Sequence, residues 1–282
     1  MTEFNTVKIS RILNPTSIDL GEYAVNPFMG CEYSCLYCYV RSNKVVSKKK
    51  AVWGTYVDIR VNAPRLLEKE ILLKKPRSIL LGSTTECFQP IEAKYRITKK
   101  ILDILNRYGI YYTILTRSTY IREYIDILTK GFCRKIYFTV NNIAPELKSR
   151  LEPKSPPYDE RIETINELLS HGLDITPYFS PILPWISETS GIFSKFPGAG
   201  SVEFEGLNFN VGNIKDIIKT VTLSRPELKE RYEMLSGDMP GYNKFWRNTE
   251  KNISDEAKMS KKGYNIHIHP FGSYFTNTYS KP

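Results

Sequence analysis

A chain of 282 residues with 41% apolar and 25% charged residues holds enough material for one large α/β domain or two modest ones, and this balance excludes a disordered or fibrous polymer. Its longest apolar runs fall far below the ~20 residues that span a bilayer, and the opening Met-Thr-Glu-Phe-Asn-Thr-Val-Lys lacks the apolar core of an export signal, so a cytoplasmic protein with no membrane anchor is expected. Lys plus Arg outnumber Asp plus Glu by 40 to 30; the +10 surplus favours anionic partners but equally fits Lys-rich solvated helix faces.

Strand-like segments lie near residues 22–28 and 78–83, and the Lys48-Lys49-Lys50 run between them reads as a solvated loop. Residues 94–108 place Ile97, Ile101, Ile104, Leu105 and Tyr108 on one helical face, with Gly109 ending the helix. Residues 110–116, rich in β-branched and aromatic types, read as a strand. A helical stretch with Ile121, Tyr124, Ile125 and Leu128 closes at Gly131, and a strand over 134–140 follows. The pattern repeats with a helix over 158–171, Gly172 and a strand over 173–180, and one more strand is expected at 201–209. Helix–Gly–strand units in series predict parallel strands joined by right-handed crossovers. Six such strands make a partial or full β/α barrel, a flat doubly wound sheet being the alternative from pattern alone; either way function sits at the carboxyl ends of the strands. The division expected is residues 1–209 as the barrel with its cysteine loop, and 210–282 as an aromatic-rich cap over the barrel mouth ending in Tyr264, Phe271, Tyr274, Phe275 and Tyr279.

Of five cysteines, Cys31, Cys35 and Cys38 fall within eight residues, in Gly30-Cys31-Glu32-Tyr33-Ser34-Cys35-Leu36-Tyr37-Cys38-Tyr39, while Cys87 and Cys133 stand apart. An odd count without an export signal argues against a disulfide framework. A structural zinc site takes four protein ligands, commonly as two pairs, and no second pair exists. Three thiolates on a 4Fe–4S cluster instead leave one iron without a protein ligand, and an open iron implies chemistry there.

This spacing, with an aromatic residue before the last cysteine, resembles the radical SAM superfamily signature. The resemblance implies that Cys31, Cys35 and Cys38 hold three irons and that S-adenosylmethionine chelates the fourth. Reductive cleavage then yields a 5′-deoxyadenosyl radical that abstracts a substrate hydrogen, with the protein supplying orientation. Further segments resemble the spore photoproduct lyase branch and its relatives: Asn26-Pro27-Phe28-Met29-Gly30-Cys31, Gly82-Ser83-Thr84-Thr85-Glu86-Cys87-Phe88-Gln89-Pro90, Leu115-Thr116-Arg117-Ser118, Phe138-Thr139-Val140-Asn141, the run from Leu151-Glu152-Pro153 to Arg161-Ile162, and Pro181-Ile182-Leu183-Pro184. This likeness, over about residues 24–186, implies a radical SAM barrel. It implies that Ser83, Thr84, Thr85 and Glu86 face the methionine and ribose of SAM, that Arg117, in place of a family lysine, reaches the SAM carboxylate, and that Thr139 and Asn141 contact its polar groups.

The lyases draw product hydrogen from a cysteine whose position here is Ser83, a poor hydrogen-atom donor. Cys87 can substitute if its loop turns inward, a packing role being the alternative, and Tyr39 matches a tyrosine that relays hydrogen in the family. Cys133 reads as core. His267 and His269 would share one face of a strand and could bind metal, but no carboxylate lies near them in sequence, so structural hydrogen bonding is expected. Trp185, Trp246 and the Tyr-rich tail could stack on bases or aromatic substrate residues, or pack as core and cap.

The expected activity is hydrogen abstraction from a macromolecule. The candidates are a peptide, as in maturation that cuts, links or epimerises ribosomal peptides, and a nucleic acid, including lesion repair through Cys87 or Tyr39. A flavodoxin- or ferredoxin-type electron donor and a small substrate-recognition protein are expected partners. A non-catalytic nucleic-acid-binding module with a structural metal is the remaining alternative, and it predicts zinc in place of iron and strongly salt-dependent binding.

Overall fold

The computed structural model describes residues 2–43, 46, 48–49 and 51–272. In chain order it runs through β1 (Glu3–Val7), β2 (Asn14–Pro15), β3 (Tyr23–Val25), β4 (Phe28–Met29), β5 (Tyr56–Arg60), α1 (Ala63–Lys74), β6 (Ser78–Leu81), α2 (Glu92–Tyr95), α3 (Ile97–Arg107), β7 (Tyr111–Thr116), α4 (Ile125–Thr129), β8 (Cys133–Val140), α5 (Pro145–Leu151), α6 (Tyr158–Ser170), β9 (Ile175–Ile182), β10 (Ser201–Gly206), α7 (Ile214–Ser224), α8 (Lys229–Gly237), α9 (Met239–Ser260) and β11 (Gly263–His267).

The main sheet orders its strands β11-β10-β9-β8-β7-β6-β3-β2. Every neighbouring pair from β3 to β11 is parallel, and only β2 runs against β3. Spatial order thus follows chain order with no reversal, whereas a doubly wound sheet reverses at a switch point. The sheet is the partial β/α barrel. The six expected strands are β3, β6, β7, β8, β9 and β10, and β11 adds a parallel strand from the segment expected to cap the mouth. The cap's Tyr274, Phe275 and Tyr279 lie outside the described residues. A second sheet, β1-β5-β4, was not foreseen; its short strands, β4 of two residues and β5 buried on both faces, offer no alternation to read.

One face of the main sheet packs on the helices. Ile79, Leu81, Ile114, Ile136, Phe138, Phe179, Val202 and Phe204 are buried there in one core with Leu105, Leu168, Trp246 and Ile253. Alternate residues, among them Thr139, Tyr178, Ser180, Glu203 and Glu205, take the opposite, concave face. Trp246 is core: its ring lies where a Cβ on Gly206 would stand.

The helix expected over 94–108 is broken at Arg96, which adopts a left-handed φ of 52°. The break lets Glu92 turn back and accept hydrogen bonds from the amides of Thr98 and Lys99, both at 3.0 Å, so its carboxylate caps α3. The expected helix around Ile121 to Leu128 begins as a 3-10 turn over Thr119–Tyr124 before α4. Gly109 and Gly172 both have positive φ, 65° and 78°, as helix-ending glycines require. Within the lysine run, Lys49 is not simply solvated: it pairs with Asp58 and lies 4.2 Å from the Tyr56 ring centroid.

Gly82 ends β6 with φ +86°, and a Cβ there would stand 2.4 Å from the carbonyl oxygen of Leu115. Gly82→Ala should lower unfolding free energy by about 1–3 kcal/mol from backbone strain alone. Urea denaturation measures this, and unchanged stability would show that the loop relaxes around the new methyl group.

Candidate active site

The cysteine loop emerges from β4 and returns into β5, at the end of the main sheet where the parallel strands finish. Gly30, with φ +95°, lets the chain pass the main chain of Tyr56, whose carbonyl oxygen would lie 2.3 Å from any Cβ there. Other elements hold the loop through its backbone. The Glu32 amide donates to Gln89 Oε1 at 2.8 Å, and the Ile91 amide donates to Glu32 Oε1 at 2.7 Å. Leu36 N donates to Leu151 O at 2.8 Å, and Arg41 spans the turn with bonds to the carbonyls of Cys35 and Ser34 at 2.9 and 3.1 Å. Cys31 and Cys35 are buried and Cys38 is partly exposed; all five cysteines are free thiols.

Burial, and then charge on Cys35, push the Cys31 thiol up, and the same causes push Cys38 up to about 11. Three thiols crowded on one loop, two of them buried, become thiolates together only against positive charge. Arg117 is the nearest part of that charge. Its Nη1 lies 3.4 Å from Cys35 Sγ, donates to Tyr37 Oη at 2.8 Å and pairs with Glu152 Oε1 at 3.3 Å. Burial disfavours its charge, but Cys35 and Cys38 outweigh burial and hold the guanidinium above its ordinary value. Arg161 takes the other oxygen of Glu152 and donates to Asn141 Oδ1 at 3.1 Å, while Asn141 Nδ2 donates to Tyr37 Oη at 3.1 Å. Tyr37 closes the ring by donating to Glu152.

The residues expected to hold SAM divide into two groups. In the first, Arg117 reaches the cysteine loop at Cys35 and Tyr37, and Ser83 is joined to it through Tyr39, whose hydroxyl bonds the Ser83 carbonyl. Ser83 Oγ accepts from Asn26 Nδ2 at 3.2 Å, and the Thr84 amide donates to Asn26 Oδ1 at 2.9 Å, so Asn26 shapes this turn. Thr139 is half-buried on the concave face, paired in register with Tyr178. The other group is consumed by the fold. Thr85 Oγ1 donates to Gly30 O at 2.7 Å. Glu86, buried, accepts from Phe88 N, Thr116 Oγ1 and Arg117 N at 3.0, 2.7 and 2.9 Å, and so ties the β6 loop to the end of β7. Asn141 is spent on Tyr37 and Arg161.

The two candidate hydrogen carriers also separate. Tyr39 is 45% exposed and donates its hydroxyl to the Ser83 carbonyl. Cys87 is fully buried in the main core beneath Gly82, its carbonyl taken by Thr98 Oγ1 at 2.6 Å, and burial raises its thiol well above the ordinary value. The loop does not turn it inward. Cys133 lies half-buried at the start of β8, against the core as expected. Asn26, Tyr37, Glu152 and Arg161 were not singled out as site residues, although all four lie within the quoted motif segments.

Among the described residues, no group of three or more His, Cys, Asp or Glu side chains could hold a single metal ion. A 4Fe–4S cluster makes no such demand, since each cysteine binds a different iron. The donor chemistry fits it: three thiols on one loop, two of them buried, a guanidinium beside them, and no fourth cysteine on the loop.

Residues 25–188, more than half of the chain, match the Radical SAM superfamily. An uncharacterised protein of Methanocaldococcus jannaschii is 30% identical over 208 residues, 73% of this chain and 78% of that protein. An uncharacterised protein of Mycobacterium tuberculosis is 24% identical over 228 residues, 76% of this chain and 66% of that one. Among solved structures, spore photoproduct lyase complexed with dinucleoside spore photoproduct matches with a TM-score of 0.62 at 14% identity, covering 94% of this chain and 82% of the lyase. SuiB of Streptococcus suis bound to S-adenosylmethionine matches with a TM-score of 0.53 at 12% identity, covering 87% of this chain and 49% of SuiB. With the three-cysteine loop set at the end of an open parallel barrel, these matches place the chain in the radical SAM superfamily.

Proposed function

We propose that this radical SAM enzyme abstracts hydrogen from a macromolecular substrate, and that the substrate is a peptide. The observation that carries the radical reading is the three-thiol loop with Arg117 against Cys35. The enzyme's cofactors are a 4Fe–4S cluster and S-adenosylmethionine. Cys31, Cys35 and Cys38 would hold the cluster, and Ser83, Thr84, Arg117 and Thr139 would hold SAM. When bound and reduced, these groups supply a 5′-deoxyadenosyl radical that takes a hydrogen atom from the substrate.

The chain's own residues set the conditions. Arg117 offsets sulfur charge and offers a planar fork to a carboxylate. Tyr37, Glu152, Arg161 and Asn141 fix its direction. Tyr39, exposed and anchored to the Ser83 carbonyl, is positioned to relay hydrogen at the barrel mouth. Asn26 and Glu86 keep the β6 loop in place around them.

The substrate class follows from the concave wall. Glu203 and Glu205 stand on it, and its Lys135 is 3.7 Å from Asp174, so phosphodiesters meet carboxylates there. Peptide amides and side chains meet no such repulsion. A nucleic-acid substrate is the second reading, favoured by the +10 charge and by the fold shared with spore photoproduct lyase, an enzyme whose structure is known with a dinucleoside spore photoproduct. Against lesion repair of that kind stand Ser83 at the donor position and the sealed Cys87. Residues 210–272 are proposed as a substrate-facing extension, and an acidic flavodoxin or ferredoxin, and a small recognition protein, as partners in the cytoplasm. No helix among the described residues is long and apolar enough to cross a membrane.

Anaerobic reconstitution with iron and sulfide should give a brown protein that forms 5′-deoxyadenosine with SAM and dithionite, followed by mass spectrometry. Cys31→Ala, Cys35→Ala and Cys38→Ala should each abolish both colour and product; full activity in any one refutes the cluster assignment. Deuterated synthetic peptides should pass deuterium to 5′-deoxyadenosine, and transfer from deuterated oligonucleotides alone would reverse the choice of substrate. Arg117→Ala should weaken SAM binding ~10-fold or more, the loss of a charge-assisted bond of ~1.5–3 kcal/mol. Equilibrium dialysis with the cluster-loaded protein measures it, and an unchanged affinity removes Arg117 from the SAM site.

A further inference from the structure

The Ile266-His267-Ile268-His269-Pro270 run belongs to neither the cysteine loop nor the SAM contacts. Ile266 and Ile268 pack against the main core, so the two histidines take the other face. That face is the concave wall. Glu205 of β10 pairs in register with His267, Glu203 pairs with Tyr178, and Tyr178 pairs with Thr139. The Tyr137 and Tyr178 rings meet edge to face at 6.3 Å between centroids. The wall therefore continues without a gap from the SAM side of the barrel at β8 to the histidines at β11.

The sequence offers these histidines no carboxylate; the fold brings one from 64 residues away. His269 Nε2 lies 3.1 Å from Glu205 Oε1. The other oxygen, Glu205 Oε2, accepts from Ser180 Oγ at 2.5 Å, and the Tyr178 hydroxyl bonds the same carboxylate. Burial works against charge on Glu205, yet the hydrogen bonds from His269, Ser180 and Tyr178 outweigh it and hold the carboxyl below its ordinary value. The main chain at His269 is fixed as well. Tyr242 Oη donates to its carbonyl at 2.6 Å, and Asn210 Nδ2 donates to the Pro270 carbonyl at 2.9 Å. His267 flanks the ring almost perpendicularly, with centroids 4.5 Å apart. Among the described residues, Nδ1 of His269 makes no hydrogen bond, and the side chain keeps 18% of its surface open.

A carboxylate that accepts from one imidazole nitrogen selects the tautomer with the proton on that nitrogen and leaves the other bare and basic. A surface ion pair does not require a carboxylate with two further donors, nor a backbone tied down on both sides of the histidine.

We propose that His269 is an acid–base residue of the substrate site, with Glu205 as its positioning residue, and that it takes a proton from a substrate N–H or O–H group. The heteroatom–hydrogen bond breaks heterolytically, its electron pair stays on the substrate heteroatom, and the proton bonds to Nδ1. The imidazolium so formed is paired with the Glu205 carboxylate, and loss of the proton to water restores the neutral ring. No oxidant or reductant enters this step. The proposal rests on the reading above that substrate occupies the concave face.

The chain has three histidines, His171, His267 and His269, so the full-length protein labelled with 15N-histidine gives few signals to assign. Long-range 1H–15N spectra at neutral pH should show the His269 proton on Nε2. In Glu205→Gln, whose amide can donate, the proton should move to Nδ1. Diethyl pyrocarbonate should label His269 in the native chain, and Glu205→Gln should slow that labelling relative to exposed His171. Glu205→Ala, which removes the acceptor altogether, should release the preference for the proton on Nε2 and serves if Glu205→Gln does not fold. In turnover with the deuterated peptides, His269→Gln should lower peptide conversion by ~10²-fold or more. An Nδ1–H tautomer in the native chain, a tautomer indifferent to both variants, no adduct at His269 under conditions that label His171, or undiminished conversion by His269→Gln would each overturn the proposal. The tautomer and labelling readouts need no SAM cleavage, so their failure removes the dyad alone, whereas absence of 5′-deoxyadenosine removes the radical reading.

Discussion

Burial and mutual repulsion push the thiols of Cys31 and Cys38 upward, so the loop can carry them as thiolates only against compensating positive charge. An iron–sulfur cluster supplies most of that compensation, and Arg117 contributes the protein's share. A guanidinium is costly to bury alone, and here it has Tyr37 and Glu152 as partners. Glu152 in turn faces Arg161, which reaches Asn141, which returns to Tyr37. The ring of contacts joins the cysteine loop, the end of β7, the end of β8 and the start of α6. Each strand that delivers a polar group to the mouth is thereby braced against the next.

The sheet topology explains why those groups meet. Parallel strands in unbroken chain order all finish at the same edge, so the residues after β6, β7 and β8 arrive together without long excursions. The same order gives the concave face a gradient of character. Near β6 and β7 it adjoins the cationic, sulfur-rich loop; toward β10 and β11 it carries carboxylates and imidazoles. Hydrogen-atom chemistry at one end and proton handling at the other is a division of labour that such a wall permits.

What could be read from sequence was what is local in sequence. The cysteine spacing, the glycines ending helices at 109 and 172, and the β-branched and aromatic content of β7 depend on neighbours within a few residues. The partners of Glu86 were hidden because two of them, Thr116 and Arg117, lie some 30 residues on, and no local pattern reveals the bonds its oxygens accept. Those of Asn141 were hidden for the same reason, coming from the cysteine loop and α6. Strand β11 was considered only conditionally, for His267 and His269, because five residues of mixed polarity after a long helix carry little signal until β10 is beside them. The pairing of Glu205 with His269 is a tertiary fact of the same kind.

One feature of the second sheet bears on how the cofactor arrives. Phe28 and Met29 of β4 pair with Ile59 and Asp58 of β5, so the segment carrying all three cysteines leaves and re-enters the body at adjoining points. The entropy of closing that loop is lost when the polypeptide folds, before any iron is present, and its dependence on length is only logarithmic. Maturation of the cluster therefore acts on a loop whose two ends the fold already holds together.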